Sequence, residues 1–490
     1  MPLPDLRALL AMPPEQLRAL GTRLRAVGLD RPFLGKLARV GERLDDPLRA
    51  PLRVWHLRRS SGPAAAAARM LIFQDPVTSD EAAAVLGGPA GAWVEVGLLA
   101  DRGVGLVGAL HLSVGESVLL LGDTLGSDAL AVMGVAGATT LELCRAAAPT
   151  GRVARILDLG AGAGMAAITL ARHAERVTAT DLNPRAEQLL VLNCRLNGIA
   201  NVEARTGDLF APVLGETFDL IVSQPPFVAC PEGSAQEVFL HGGRRGDELT
   251  LRLLSEVTAR LTPEGQAVVI ADWPVIDGDD VLARVARAVG AGAEVLLLES
   301  PGKNVDEYAA FYTAAGHPGL GPEFAKALLA YREHLERVGV RSMALGFVIV
   351  RRAAAAGWSA RVGIRHLTDA PVTGAAVARL FAAHRIALGP LPARLASRLR
   401  MAPGAIAREQ VVVPGEPPHL VLSFPADRLV WPAVLEPRAA RTIQRIHRAE
   451  RVEDAGEVTA REEHVELSEA RSYVAGIAAD ALRRGALEPG

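Results

Sequence analysis

The sequence predicts an α/β protein with a Rossmann-like, mostly parallel sheet at its centre. A mainly helical, winged-helix-like domain precedes the sheet, and an α+β domain follows it. Length is the first observation, because 490 residues exceed what one hydrophobic core usually supports. The second is that short apolar runs ending in Gly, Asp or Pro alternate with helical patterns between residues 151 and 352. Such alternation specifies a parallel sheet with helices on both faces.

The same patterns divide the chain into three predicted domains. Residues 1–150 form the helical, winged-helix-like domain, which recruits substrate or packs against its neighbour. Residues 151–352 contain the sheet, and residues 353–490 form an arginine-rich α+β accessory domain. Oligomeric state leaves no pattern in this sequence, so we make no prediction about it.

Bulk composition excludes several classes of protein. A formal net charge of -2 gives no global attraction to nucleic acid or to a membrane. The three cysteines, Cys144, Cys194 and Cys230, form no CxxC pair, so we expect neither a disulfide framework nor a metal site. The N-terminus has the charged, apolar-periodic pattern of a surface helix, and no apolar run reaches the ~18–20 residues of a membrane span. We expect a cytoplasmic protein without membrane association.

A winged-helix pattern ends the first domain. Thr78-Ser79-Asp80-Glu81 is typical of a helix start. Two helices and a hairpin are predicted, over Ala82–Leu86, Trp93–Leu99, Leu106–Leu112 and Ser117–Leu121. DNA binding is one interpretation, and a packing or substrate-shaping module is the other. Glu95 and Asp101 beside the second helix do not suit a phosphate-seeking face, which favours the second interpretation.

The third domain mixes helices and strands and is rich in arginine. Its predicted elements are helices over Val372–His384, Pro392–Leu399 and Ala470–Leu487, and strands over Gln410–Val413 and His419–Phe424. Arginines crowd residues 361–451, and an acidic segment follows from Glu453 to Glu466. One interpretation is solvated arginine partnered by the acidic segment. The other is an electrostatic footprint for RNA or another polyanion.

A glycine-rich turn, Asp158-Leu-Gly160-Ala-Gly162-Ala-Gly164, follows the first predicted strand of the sheet. Glycine allows a sharp turn and close approach of a ligand, and the following helix start offers free backbone donors. The turn therefore suits the carboxylate end of an amino-acid-bearing cofactor, or a pyrophosphate. In the dinucleotide fingerprint GxGxxG the third glycine would stand at Met165, so a dehydrogenase is an alternative with weaker support.

Two acids end the next two strands. Asp181 stands close to the ~20-residue spacing at which an acid accepts hydrogen bonds from ribose hydroxyls, and Asn183 is the better candidate for the helix cap. Asp208 ends the third strand region and could accept from an adenine amino group. An ordinary turn aspartate after Gly207 is equally compatible with that pattern.

The fourth motif, Ser223-Gln224-Pro225-Pro226-Phe227, follows an apolar strand. Consecutive prolines do not continue a strand, and Pro225 holds its own carbonyl rigidly. That carbonyl and the Gln224 amide oxygen can accept two hydrogen bonds from one planar NH2 group, while Phe227 stacks on the group that carries it. The motif therefore predicts chemistry at a nitrogen, achieved by positioning and dipoles without a strong base.

Together these motifs resemble the class I S-adenosylmethionine-dependent methyltransferases over residues 140–352. Within that class they look like the group with an Asn/Asp-Pro-Pro-aromatic motif, which includes release factor glutamine methyltransferases and small-domain guanine-N2 RNA methyltransferases. The resemblance implies a seven-stranded sheet whose antiparallel member is Ala344–Arg351. It also implies S-adenosyl-L-methionine as cofactor, S-adenosyl-L-homocysteine as product, and no metal.

The resemblance assigns roles to residues of this chain. Gly160, Gly162 and Gly164 line the methionine portion, and Asp181 binds the ribose. Asp208 and Leu209 flank the adenine, and Asp158 and Leu182 complete the cofactor-binding set. Gln224, Pro225 and Phe227 hold the methyl acceptor. The group has Asn, Asp or Ser where this chain has Gln224, so either the pocket is shaped for a different acceptor or turnover is impaired.

The glycine-rich loop from His241 to Gly246 is implied to face the substrate. The other interpretation is a turn that caps the next helix through Asp247. The leading hypothesis is an N-methyltransferase whose acceptor is a planar amide or exocyclic amine nitrogen of a macromolecule, either a protein glutamine or an RNA base. The arginine-rich third domain mildly favours RNA over a protein glutamine as the acceptor. The alternatives are a small-molecule or peptide acceptor in a biosynthetic pathway, and a non-catalytic cofactor-binding scaffold.

Overall fold

The computed structural model describes ten ranges of the chain: residues 3–37, 49–115, 117–124, 137–231, 240–317, 321–353, 356–365, 371–410, 419–423 and 433–490. Within the first three, helices surround two small hairpins. The helices are α1 (Arg7–Ala11), α2 (Pro14–Ala26), α3 (Arg31–Gly35), α4 (Ala50–Leu57), α5 (Pro63–Leu71), α6 (Ser79–Leu86) and α7 (Ala90–Glu95). The strands are β1 (Leu99–Asp101), β2 (Leu106–Gly108), β3 (His111–Val114) and β4 (Leu119–Gly122).

Local signals set most of these elements. Thr78 and Glu81 form a capping box at the start of α6, as the sequence predicts. A hairpin around Gly115 is confirmed by the pairing of β3 with β4. Its first strand is shorter than the predicted Leu106–Leu112, because Leu106–Gly108 forms the separate strand β2 and pairs with β1. The prediction of a helix over Trp93–Leu99 is wrong at its end. Helix α7 stops at Glu95, Gly97 adopts a φ of 80°, and Leu99 begins a strand.

The central region contains the large sheet, its helices and one small strand pair. The strands are β5 (Val153–Leu159), β6 (Ala174–Asp181), β7 (Val202–Thr206), β8 (Phe218–Ser223), β9 (Val228–Ala229), β10 (His241–Gly243), β11 (Leu261–Ile276), β12 (Ala293–Asn304) and β13 (Val340–Arg352). The helices are α8 (Ala138–Ala147), α9 (Met165–Leu170), α10 (Pro184–Asn197), α11 (Glu248–Val257), α12 (Val281–Val289), α13 (Val305–Gly316) and α14 (Pro322–Arg337).

The sheet has the order β14-β12-β13-β11-β8-β5-β6-β7, where β14 is Trp358–Gly363. Strand β13 is antiparallel to both of its neighbours, and β5, β6, β7, β8 and β11 run parallel. The predicted α/β class and the antiparallel strand are confirmed. Strand β14 adds an eighth strand to the expected seven, and it lies beyond the expected domain boundary at residue 352.

Both faces of the sheet are buried. Successive β8 side chains alternate between two core clusters: Leu220 and Val222 belong to one and Ile221 to the other. Period-two alternation between two apolar faces requires helices on each side. Helix α10 shows how closely local signals set these helices. Asn183 accepts from the Arg185 backbone N–H, Pro184 is the first helical residue, and Gly198 ends the helix in the left-handed conformation, as predicted.

Residues 371–410, 419–423 and 433–490 add helices and short strands. The helices are α15 (Gly374–Ala387), α16 (Leu391–Ala396), α17 (Pro437–Arg448), α18 (Val452–Glu463) and α19 (Leu467–Arg483). The strands are β15 (Leu399–Met401), β16 (Ile406–Gln410), β17 (His419–Ser423), β18 (Ala433–Leu435) and β19 (Leu487–Pro489). Residues 411–413 and 424, at the ends of two predicted strands, lie outside the described residues.

The acidic segment pairs with the arginines of this region. Arg445 contacts Glu463 at 2.9 Å and also pairs with Glu462, and Arg438 contacts Glu463 at 2.8 Å. Arg451 contacts Glu453 at 3.1 Å. These contacts support the interpretation of the acids as partners of the arginines. Among the described helices, none combines the length and apolar character that a membrane crossing requires.

The N-terminal region docks on α10 of the central region. Asn193 of α10 accepts from the Leu121 backbone N–H and donates to the Leu121 and Ala163 carbonyls, all within 2.9 Å. Helix α2 lies so close that a Cβ added to Gly21 would stand 2.0 Å from the Leu196 carbonyl oxygen. The N-terminal region is therefore packed against α10, which covers the sheet.

Gly21→Ala tests this docking. We expect it to lower the free energy of unfolding by about 2–3 kcal/mol, because the added methyl group would overpack a backbone contact. Gly476→Ala in α19 is the matched control. There a Cβ meets no atom within 4 Å, so this variant should be neutral or more stable by about 0.5–1 kcal/mol. Denaturant unfolding measures both, and equal stability of the two variants would contradict the docking contact.

Asp158 links β5 to α9 from inside the core. It is 3% exposed, and its carboxylate accepts from the Ala167 backbone N–H at 2.7 Å. Burial raises the pKa of Asp158 from 3.8 to about 7; the hydrogen bond from Ala167 lowers it, and the nearby Asp181 charge raises it. Folding therefore increases the fraction of Asp158 that is protonated at any pH between these two values.

Asp158→Asn should make stability less dependent on pH. Because the pKa of Asp158 is raised in the folded state, its contribution to the free energy of unfolding is fully present below pH ~4. That contribution is lost as pH rises through about 7. The difference in free energy of unfolding, Asn variant minus wild type, should therefore increase by up to about 4 kcal/mol between these two pH values. Urea unfolding of both proteins at several pH values measures the difference, and a constant difference would exclude a raised pKa.

Candidate active site

The carboxyl ends of four strands meet at one edge of the sheet. Leu159 of β5 is paired with Thr180 of β6 and with Ser223 of β8, and Asp181 is paired with Thr206 of β7. The glycine turn, Asp181, Asp208 and Gln224 each follow or end one of these strands. This edge therefore brings together the motifs that the sequence singles out, as expected for ligand sites of open α/β sheets.

The glycine turn is fixed on β6 and open on its other side. The backbone N–H groups of Gly160 and Ala161 both donate to the Thr180 carbonyl, at 2.8 and 3.0 Å. Gly160, Gly162 and Gly164 have φ values of 76°, 54° and 97°, which side chains rarely adopt. A Cβ at Gly164 would stand 2.2 Å from Leu190, whereas one at Gly160 would meet no atom within 4 Å. Gly160 therefore leaves space against its backbone.

Asp181 ties the end of β6 to this turn. Its carboxylate accepts from the Gly162 backbone N–H at 2.9 Å and from the Asn183 backbone N–H at 2.8 Å. Burial raises the pKa of Asp181, and these two hydrogen bonds oppose the rise. The next side chain, Leu182, is 55% exposed despite being apolar. A carboxylate and an uncovered apolar side chain thus stand next to the open turn.

Asp208 follows β7 at the same edge, and it has a partner that the sequence did not suggest. Its carboxylate accepts from Arg252 of α11 at 2.6 Å, and both side chains are about half exposed. Leu209 has a φ of 43° and packs partly against the core. An adenine contact by Asp208 stays a prediction. The carboxylate would have to accept hydrogen bonds from both the adenine and Arg252.

The Gln224-Pro225-Pro226-Phe227 motif starts at the end of β8. The Ser223 hydroxyl donates to the Leu159 carbonyl at 2.7 Å, which anchors the start of the motif next to the glycine turn. Pro225 is buried, and Gln224 and Phe227 are half-buried. The Gln224 side-chain oxygen accepts from the Thr140 hydroxyl of α8 at 2.7 Å. Sequence reasoning did not identify Thr140, because 84 residues separate it from its partner.

The glycine-rich loop lies directly on the motif. Strands β9 and β10 pair in parallel, with Val228 opposite His241. A Cβ at Gly242 would stand 2.4 Å from the Pro226 carbonyl oxygen, and one at Gly246 would stand 2.4 Å from the Phe227 carbonyl oxygen. This contact agrees with a loop that shapes the acceptor side. His241 is half-buried, and burial lowers its pKa.

The prediction that Asp247 caps α11 is wrong. Asp247 stands at the N-cap position, but its side chain makes no capping hydrogen bond. It is fully buried and accepts from Arg284 of α12 at 2.7 Å, so a tertiary ion pair replaces the local cap. The carboxylate of Glu248 instead accepts from the backbone N–H groups of Arg245 and Gly246 at 3.0 Å.

Three of the four tyrosines of the chain lie on helices α13 and α14, and two of them contact β9, the strand that pairs with β10. The Tyr308 hydroxyl accepts from the Ala229 backbone N–H at 3.3 Å, and the Tyr331 hydroxyl donates to the Ala229 carbonyl at 2.7 Å. Tyr312 donates to Asp272 of β11 at 3.4 Å. Burial raises the pKa of Asp272 to about 6. The spacing of three tyrosines within 24 residues was the available signal, and sequence reasoning missed it.

Comparison with known proteins agrees with this arrangement. Residues 138–289 match the family model described as methyltransferase small domain. A release factor glutamine methyltransferase of Koribacter versatilis is 36% identical over 135 residues, covering 25% of this chain and 48% of the relative. A ribosomal RNA small subunit methyltransferase C of Alcanivorax borkumensis is 30% identical over 123 residues, covering 25% and 33%. The chain thus spans about half the length, or less, of these relatives.

Among solved structures, a T. thermophilus 16S rRNA N2 methyltransferase in complex with AdoMet and guanosine is 18% identical. The match covers 36% of this chain and 45% of that one, with a TM-score of 0.26. The family match and the sequence relatives confirm the resemblance that the motifs indicate. Residues 138–289 are therefore similar to the methyltransferase small-domain family and, among the sequence relatives, to the release factor glutamine methyltransferases.

Proposed function

We propose that this protein is an S-adenosylmethionine-dependent N-methyltransferase whose acceptor is a planar amide or exocyclic amine nitrogen of a macromolecule. The observation that carries the proposal is the position of Gln224, Pro225 and Phe227 at the end of β8, beside the open glycine turn after β5. Relatives with the same family resemblance are named for glutamine or ribosomal RNA methylation.

The cofactor edge has the chemistry that S-adenosylmethionine requires. Gly160 leaves space against the backbone for the methionine portion, and the positive φ values of Gly162 and Gly164 shape the turn around it. The Asp181 carboxylate would accept from the ribose hydroxyls, and the exposed Leu182 would cover one face of the adenine. Asp158 supports the turn from the core, so its contribution would be indirect. When bound, the cofactor supplies an electrophilic methyl group.

The acceptor side positions a nitrogen lone pair. The Gln224 side-chain oxygen and the rigid Pro225 carbonyl would accept the two hydrogens of one NH2 group, and Phe227 would stack on its planar carrier. The lone pair is then directed at the methyl carbon. A bound cofactor would supply the methyl group to this nitrogen, which would then lose a proton to solvent. The three residues would contribute by positioning and by their dipoles.

Of the two macromolecular acceptors, we propose a protein glutamine first. The tilt toward RNA rested on the arginines of the third domain, and several of these are paired with acids: Arg438, Arg445 and Arg451 with Glu463, Glu462 and Glu453. Pairing reduces the charge available for phosphates. An RNA base remains the second candidate, because one relative is named for ribosomal RNA.

Gln224→Ala should abolish most methyl transfer and leave the cofactor bound. We expect a rate loss of about 100-fold, because the variant loses one of the two groups that orient the acceptor nitrogen. The measurement is transfer of labelled methyl from S-adenosylmethionine into cell extract, with and without ribonuclease. Labelling that survives ribonuclease supports a protein acceptor, and labelling that disappears supports RNA. If cofactor binds and nothing is labelled, the scaffold alternative is correct.

Asp181→Ala should weaken cofactor binding about 10–100-fold, since hydrogen bonds to a charged group contribute about 1.5–3 kcal/mol. Calorimetric titration with S-adenosylhomocysteine measures the affinity. Asp80→Ala, at an exposed acid in α6, is the control and should bind like the wild type. Unchanged affinity in the Asp181 variant would contradict the proposed ribose contact. A rise in melting temperature with NAD, but not with S-adenosylhomocysteine, would favour the dehydrogenase alternative.

A further inference from the structure

Thr140 holds the one residue in which this chain departs from the motif of its group. Its hydroxyl donates to the Gln224 side-chain oxygen at 2.7 Å. Both side chains are half-buried, so the hydrogen bond is partly shielded from water. The contact joins the first turn of α8 to the end of β8.

Helix α8 is a rigid support for this hydroxyl. Its inner face carries Leu143, Cys144 and Ala147, which are at most 4% exposed and belong to the same core cluster as Val222 of β8 and Ile270 of β11. Movement of Thr140 relative to β8 would therefore require repacking of a close-packed core. The hydroxyl stands at a fixed place relative to the strand that carries Gln224.

The extra methylene of glutamine makes such support necessary. Glutamine has three side-chain torsions and asparagine has two, so an unsupported Gln224 oxygen would sample more positions. A hydrogen bond from Thr140 selects one of these positions. An amide oxygen has two lone pairs, so accepting from Thr140 leaves the second lone pair for a hydrogen of the acceptor NH2 group. The hydroxyl also polarises the amide, which strengthens the second hydrogen bond.

We propose that Thr140 is a positioning residue that fixes the longer Gln224 side chain for acceptor binding. The inference rests on the proposed N-methyltransferase function and deepens it. It explains how a glutamine can occupy this position in an active enzyme. The pair Thr140–Gln224 would then act as one unit, replacing the shorter residue that others of the group carry.

The kinetic test uses three variants of α8. Thr140→Val removes the donor at nearly constant shape, Thr140→Ser keeps it, and Thr139→Val makes the same change at the neighbouring threonine. We expect Thr140→Val to lower kcat/KM for the acceptor by about 10–30-fold, as expected for loss of orientation. Thr140→Ser should stay within about threefold of the wild type, and Thr139→Val should be unchanged. S-adenosylhomocysteine affinity should be the same in all.

A double-mutant cycle tests whether Thr140 acts through Gln224. In the Gln224→Ala background, Thr140→Val should cause no further loss, because the hydroxyl has no amide to hold. An equal loss in both backgrounds would show that Thr140 acts independently of Gln224 and would overturn the inference. Equal activity of Thr140→Val and Thr139→Val would overturn it as well.

A second readout needs neither acceptor nor activity. The side-chain NH2 resonance of Gln224 in the nitrogen-15 spectrum of the full chain can be assigned by its loss in Gln224→Ala. We expect it to shift and broaden in Thr140→Val and to stay in place in Thr139→Val. An unchanged resonance in Thr140→Val overturns the inference. Absence of methyl transfer by the wild type, together with a shifted resonance, overturns the proposed function and leaves the positioning contact established.

Discussion

The alignment of strand ends at one edge of the sheet is the constraint on which the rest of the site depends. Leu159 lies opposite both Thr180 and Ser223, and the Ser223 hydroxyl bonds the Leu159 carbonyl. A slip of β8 by one residue would move Gln224 about 3.3 Å along the sheet and reverse its faces. Because both faces of β8 are buried in separate clusters, such a slip would disrupt two cores at once. Core packing therefore determines the distance between the glycine turn and the acceptor motif.

The two halves of the proposed site, a cofactor half around Asp181 and an acceptor half from Gln224 to Phe227, are built differently on this edge. The cofactor half consists of the turns that follow β5 and β6. Asp181 accepts hydrogen bonds from the backbone N–H groups of Gly162 in the first turn and Asn183 in the second. The acceptor half depends on contacts between distant segments. Gly242 and Gly246 approach the backbone of Pro226 and Phe227 too closely for any side chain, and Tyr308 and Tyr331 hold both polar groups of Ala229. Its geometry thus depends on the loop before α11 and on helices α13 and α14 together.

This difference explains how much the sequence could predict. The glycine turn and the cap at Asn183 depend on local chemistry, and the structure has them where they were expected. The antiparallel β13 was implied by the family resemblance, and the structure has it as well. Asp247 was a good local candidate for a cap, but Arg284 lies 37 residues away and takes its carboxylate. Thr140 and Asp272 carry no local signal of their partners, and the spacing of the tyrosines does not indicate that they contact Ala229 and Asp272. The eighth strand was missed for the same reason, because only pairing with β12 places Trp358–Gly363 in the sheet.

The charge distribution bears on how an acceptor is recognised. Arginines of α17 are bonded to acids of the next helix, as in Arg445 with Glu463, so part of the arginine run braces one helix against another. At the motif itself, Gln224, Pro225 and Phe227 are uncharged. Two neutral oxygens and an aromatic ring would select a planar NH2 group by its shape and its two donors, and not by its charge. A neutral primary amide and an exocyclic amine both meet that requirement, so the proposed preference for a glutamine side chain rests on the pairing of the arginines and not on the motif.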